Sequence, residues 1–173
     1  KFGTLDYNSN NKVNFSTLYD VASLTKVLAT TPIIMKLIHQ NKLDLNIPLS
    51  QFYYNLDDKK EITLYQLMTH SGGFKPYNEY YKNSKIIDKE SMIDAILSEP
   101  LVYKPGTSVE YSDLGIILLM DIIEKVSSRT VDDLADSWFY SPLSMDNTMF
   151  KPPNNLIDNI APTEKDNYFR KKI

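Results

Sequence analysis

The sequence contains no cysteine, which removes disulfides, thiolate catalysis and cysteine-held metals from consideration. The same absence is compatible with an oxidising or a reducing compartment, so it does not place the chain. Glycine is scarce, with five among 173 residues, and none belongs to a loop of the kind that cradles phosphate. Histidine is scarcer still. His39 and His70 stand far apart, and no carboxylate cluster has ligand spacing, so the sequence implies no metal and no cofactor. A Ser-His-Asp hydrolase is disfavoured as well, because it needs a histidine base and no Gly-x-Ser-x-Gly elbow is present. Long apolar runs are missing: the longest, Leu114 to Met120, is far too short to cross a bilayer. No stretch reads as a basic start, an apolar middle and a small-residue cleavage site, although the chain opens at Lys1 and so leaves an upstream signal or anchor open. Neither charge dominates. With 19 basic against 22 acidic residues and no long basic block, nucleic acid is a poor partner, and Arg170-Lys171-Lys172 reads as a solvated end.

What is present is the composition of one globular domain with a real core, 42% hydrophobic and 24% charged. Residues 1 to 20 read as two short extended segments around a tip at Asn8-Ser9-Asn10-Asn11, the edge of a sheet. From Ser23 to about Gln40 the spacing of Leu24, Val27, Leu28, Ile34, Met35 and Ile38 predicts a helix with one buried stripe, kinked or divided at Pro32. Thr63 and Gln66 form a capping-box pattern for a short helix that His70-Ser71-Gly72-Gly73 ends. Ser91 with Asp94 predicts another helix start, and Thr130 with Asp133 a further one. Between them, Asp113 to Ser127 predicts a core helix buried on more than one face, with Asp113 available as its N-cap. No internal repeat or low-complexity segment is found.

The chemistry concentrates in Ser23-Leu24-Thr25-Lys26. On a helix, residues i and i+3 share a face, so the Lys26 amine can reach the Ser23 hydroxyl and accept its proton. Ser23 near a helix start would also place its own N–H among the free donors of the first turn, one half of an oxyanion hole. The electropositive helix end, with partial burial, would lower the Lys26 pKa and favour a neutral amine; an exposed lysine would stay charged. Tyr111, just after the Pro105-Gly106-Thr107 turn and just before a helix, is placed to relay protons, against the plainer alternative of a packed aromatic. His70 reads as a loop residue rather than a base.

Taken in order, Ala22-Ser23-Leu24-Thr25-Lys26, Leu67-Met68-Thr69-His70-Ser71-Gly72-Gly73, Pro105-Gly106-Thr107 leading into Tyr111-Ser112-Asp113, and Pro142-Leu143-Ser144-Met145 with Thr148-Met149-Phe150 resemble the serine β-lactamase-related superfamily. More narrowly they resemble its class C-like branch, with family VIII esterases, D-aminopeptidases, DD-carboxypeptidases and β-lactamase-like domains fused to family 3 glycoside hydrolases. The resemblance covers nearly the whole chain. It implies an α+β fold of the β-lactamase/transpeptidase type, of which residues 1–173 hold mostly the helical region and a short N-terminal strand edge.

The resemblance further implies an acyl-enzyme mechanism on an ester, amide or β-lactam carbonyl, with Ser23 as nucleophile and Lys26 and Tyr111 sharing the proton traffic. Asp113 falls at the third position of the family's Tyr-x-Asn motif and is the substrate-binding candidate. An ionised carboxylate only accepts hydrogen bonds where an amide also donates, so the contact there is altered. Ser144 stands where the family commonly has Gly. The third motif of the family, Lys-Thr-Gly or His-x-Gly, has no match after Tyr111, and the family's opening helix and first strand have none before Ser23. The expectation is therefore a partial serine hydrolase domain, inactive or nearly so by itself. Its substrate would be a small-molecule or peptidoglycan-type acyl compound, its setting the periplasm, the cell surface or the outside of a bacterium, and further domains of the same polypeptide are compatible with it. The rival expectation is a non-catalytic member that keeps the fold for binding or assembly.

Overall fold

Ser112 decides where the central helix begins. In the computed structural model, which describes residues 2–7 and 10–163, its backbone is extended and its hydroxyl accepts the Gly115 N–H at 3.4 Å, the arrangement of an N-cap. Helix α4 follows over Asp113–Ser127 with the expected bounds. Asp113 is thus the first helical residue and not the cap, because the shorter Ser112 side chain already occupies that place. Leu114, Leu118, Leu119, Ile122 and Ile123 are all essentially sealed from solvent, which makes α4 the core helix anticipated from its all-round apolar sequence. Each such side chain contributes roughly 1.5–3 kcal/mol by leaving water.

The other helices pack around α4. Helix α1 covers Thr31–His39, α2 Leu64–Met68, α3 Lys89–Ser98 and α5 Val131–Ala135. The Thr63–Gln66 capping box closes as expected: Gln66 N donates to Thr63 Oγ1 and Thr63 N to Gln66 Oε1. The start of α3 is corrected. Asp88 is its N-cap and Ser91 the reciprocating third residue, three positions earlier than the Ser91–Asp94 pattern implied. At α5, Thr130 takes the cap position without a side-chain capping bond, and the Asp133 carboxylate pairs with Arg129 one turn back.

Proline reshapes the segment that carries Ser23. A tight turn over Ala22–Leu24 leads into a wide, π-type helical stretch over Lys26–Thr30, in which the Thr31 N–H reaches back to Lys26 O; α1 begins immediately after, with Pro32 in its first turn. Pro32 has no N–H and its ring would crowd the carbonyl four residues back, that of Leu28. That carbonyl instead accepts the Tyr140 hydroxyl at 3.3 Å. The extra residue in the wide stretch rotates the helix faces, and this corrects the expected stripe. Ala29, Thr30, Ile33, Ile34 and Leu37 enter the core, whereas Leu24, Val27 and Met35 are exposed.

A buried carboxylate ties three elements together on the far side of α4. Asp121 accepts from Tyr53 Oη at 2.8 Å and pairs with Lys89 of α3 at 3.0 Å and Lys125 at 2.8 Å. Burial alone would push its carboxyl up, but Lys125, Lys89 and Tyr53 together hold it below the ordinary aspartate value.

The expected sheet edge is reduced to isolated pairs. Thr4 bridges Lys12 antiparallel, Leu18 bridges Ile160 parallel, and no extended strand forms among the described residues. Leu5 N bonds Asn11 O at 2.8 Å, consistent with a hairpin whose tip, Asn8-Ser9, lies outside the described residues; so does the tail from Glu164 to Ile173. The helical majority and the bridging pairs agree with the α+β expectation.

Candidate active site

Ala22 is held at φ 45, a left-handed conformation that costs a residue with a Cβ about 1–2 kcal/mol. Asp20 stabilises the bend by accepting the Ala22 N–H at 2.8 Å. The bend lifts Ser23 to the surface at the start of the helical segment, and Lys26 follows one turn on, with Nζ donating to Ser23 Oγ at 3.0 Å. The three-residue spacing therefore does bring hydroxyl and amine together.

From across the molecule the start of α4 supplies two more groups. Asp113 Oδ1 lies 2.8 Å from Lys26 Nζ, and the Tyr111 phenol is within hydrogen-bonding reach of both Lys26 and Ser23. Asp113 Oδ1 is itself buried, and it meets Lys26 as an ion pair rather than a well-aligned hydrogen bond. Lys26 Nζ also stands 4.9 Å from the centre of the Tyr111 ring. Thus all four residues singled out from sequence, Ser23, Lys26, Tyr111 and Asp113, converge.

Electrostatics correct one expectation. Burial pushes the Lys26 pKa down, as anticipated, but the Asp113 carboxylate and the Tyr111 oxygen outweigh it and hold Lys26 above the ordinary lysine value, as an ammonium. The sequence alone omits this because Asp113 is 87 positions away along the chain. The Tyr111 phenol moves the opposite way. Hydrogen bonds from Lys26 and then Ser23 stabilise its phenolate and draw its pKa below the usual tyrosine value.

The 70–76 loop holds this arrangement in register. His70 at φ 56 ends the α2 segment, and its carbonyl accepts the Tyr103 hydroxyl at 2.8 Å and the Glu110 N–H at 3.0 Å. Its Nδ1 accepts the Ser112 N–H at 3.2 Å, while Ser112 Oγ donates to Lys75 O and Asp113 N to Pro76 O, each at 2.7 Å. The imidazole packs on Tyr111 with ring centres 4.6 Å apart. His70 is therefore a site residue that sequence reasoning read as a loop element only; nothing local to Leu67–Gly73 announces a contact with a ring 41 positions later. Ser23, Lys26, His70 and Tyr111 share a cavity of about 390 Å³, whose apolar walls include Leu24 and Val27. The exposure of those two side chains is thereby accounted for.

A family model described as Beta-lactamase matches residues 1–170. Among curated proteins, one named as a candidate D-alanyl-D-alanine carboxypeptidase of Salmonella typhimurium is 29% identical over 79% of this chain and 35% of its own length. Among solved structures, a β-lactamase/D-alanine carboxypeptidase from Yersinia pestis superposes with a TM-score of 0.78 at 21% identity, over 93% of this chain and 48% of that one. The octameric penicillin-binding protein homologue of Pyrococcus abyssi gives 0.77 at 26% identity, over 92% of this chain and 39% of that one. The chain thus spans between a third and a half of the length of these relatives.

Proposed function

The chain belongs to the beta-lactamase family, and from that premise we propose that it carries the nucleophile side of a serine acyl hydrolase. The observation that carries the reading is the meeting of Ser23 Oγ with Lys26 Nζ at 3.0 Å and with the Tyr111 phenol at the mouth of one cavity. In this reading Ser23 attacks the carbonyl of an ester, amide or β-lactam. Its proton passes to Tyr111, whose phenolate the two neighbours favour, while Lys26 stays an ammonium and steadies the negative charge. Tyr111 then returns the proton to the leaving group, and water, deprotonated by the same phenolate, releases the acyl chain and restores Ser23. The Ser23 N–H, at the start of the first turn, is one oxyanion donor. Residues beyond those of this chain supply the rest of the pocket, and the setting that fits a peptidoglycan-type substrate is the cell envelope, periplasmic or extracellular.

A second reading is favoured by one feature. Asp113 locks Lys26 as a cation, which a non-catalytic binding or assembly member could retain for structure alone. Fluorophosphonate or fluorescent-penicillin labelling of the polypeptide that contains this chain separates the two. Labelling lost on Ser23→Ala supports the hydrolase; no labelling of the native protein supports the binding member. Multiple-turnover ester hydrolysis by residues 1–173 alone would overturn the expectation that further residues complete the pocket.

A further inference from the structure

We propose that His70 is a positioning residue for Tyr111, anchoring the tyrosine loop through an unprotonated Nδ1 and setting the phenol's orientation by ring contact, so that protonation of His70 releases the loop. The inference rests on the reading of Tyr111 as the proton carrier and extends it to how that group is held.

Three observations carry it. First, the Ser112 N–H points at His70 Nδ1 at 3.2 Å, so that nitrogen must be the acceptor and the ring proton of neutral His70 must sit on Nε2. An imidazolium has no acceptor, so gaining a proton at Nδ1 breaks the bond. Second, Ser112 lies between Tyr111 and Asp113 and is itself buried, so motion of its N–H is transmitted to both neighbours. Third, the imidazole supports one side of the Tyr111 ring, with centres 4.6 Å apart and planes tilted by 41°.

The charged groups around the imidazole act in opposite senses, with Lys26 prevailing. Lys26 faces it from the π-type stretch, with Tyr111 and Asp113 from the start of α4; the Tyr103 hydroxyl reaches the His70 carbonyl rather than its ring. Burial first and the Lys26 ammonium second make the ring harder to protonate, and the Asp113 carboxylate opposes them more weakly. The anchored state is therefore complete above the ordinary histidine value of 6.5 and is lost as pH falls through the lower value of the folded protein.

The test does not depend on catalysis. In the uniformly ¹⁵N- and ¹³C-labelled chain, the expected nuclear magnetic resonance result is a neutral His70 protonated on Nε2. Its titration should move the Ser112 amide and the Tyr111 Cζ resonances together. His70→Asn keeps an acceptor where Nδ1 was and tolerates φ 56, so the Ser112 amide should stay in place and the acid transition of Tyr111 should vanish. His70→Ala should lose both; if it does not fold, His70→Asn still decides. Resonances of Ser112 and Tyr111 that ignore the His70 titration, or an acid transition that survives in His70→Asn, overturn the proposal. Labelling at Ser23 gives the separate arm: in the native protein its rate should fall roughly tenfold per pH unit below the His70 midpoint, and His70→Asn should flatten that limb. Coupled resonances without any labelling defeat the hydrolase reading alone. Labelling with an unchanged acid limb in His70→Asn defeats the positioning role alone.

Discussion

The Lys26 ammonium sits 2.8 Å from Asp113 Oδ1, and this ion pair, together with the Tyr111 oxygen, holds Lys26 in its charged form. It keeps Lys26 charged, and a charged Lys26 in turn favours the Tyr111 phenolate. The carboxylate at position 113, where the family that the sequence resembles usually has an amide, thereby acts on the Tyr111 phenol through Lys26.

Asp113→Asn should lower the Lys26 midpoint, because the largest opposing effect, burial, then acts without the carboxylate. Since the pair raises the folded-state value, its stabilisation is complete below the ordinary lysine value of 10.5 and fades as pH rises through the higher folded one. The stability difference between native protein and variant should accordingly shrink in alkali. Titration of the Lys26 side chain by NMR checks the direction, and an unmoved midpoint would show that the ion pair does not control it.

Gly72 and Gly73 look equivalent in sequence yet should respond differently to alanine. A Cβ on Gly73, at φ 86, would lie 2.5 Å from the Tyr103 carbonyl oxygen; on Gly72 it would meet only side chains at 3.4 Å. Backbone strain of about 1–2 kcal/mol plus the clash makes Gly73→Ala the damaging change. It should also loosen the 101–103 segment, whose Val102 N–H bonds Gly73 O at 2.8 Å. Urea unfolding of the two variants should show a midpoint clearly lower for Gly73→Ala than for Gly72→Ala; equal midpoints would contradict the geometry.

Ser144 is held at φ 55, closing the segment after Tyr140 with Met145 N bonded to Tyr140 O at 2.8 Å. The left-handed conformation explains why glycine is common there in the family that the sequence resembles. Ser144→Gly should stabilise the chain by about 0.5–1 kcal/mol, the relief of strain being partly offset by the greater freedom of glycine in the unfolded state. Thermal unfolding reads this as a rise in Tm; a fall would mean that the serine side chain makes a compensating contact.

Much of the architecture was legible because its signals are local. The Thr63–Gln66 box, the apolar run of α4 and the Ser23–Lys26 spacing each depend on residues within one or two helical turns, and each appears in the structure. Of the two errors, one has a long-range origin and the other a local one. The buried face of the first helix shifted because Pro32 goes with a widened turn whose freed Leu28 carbonyl is met by Tyr140, 112 residues away. The α3 start moved because Asp88, outside the Ser91–Asp94 pattern, made the better cap.

The sequence by itself determined which chemical groups this protein possesses and in what order: a hydroxyl and an amine one helical turn apart, a phenol at the head of a core helix, no thiol and few histidines. Only the tertiary structure decided what those groups are in protonation terms. The field at Lys26 comes from Asp113 and Tyr111, the lowered phenol pKa of Tyr111 from Lys26 and Ser23, and the ring contact of the tyrosine from His70. Such effects depend on distances of a few ångströms between residues remote in the chain, and spacing along a sequence carries no information about those distances.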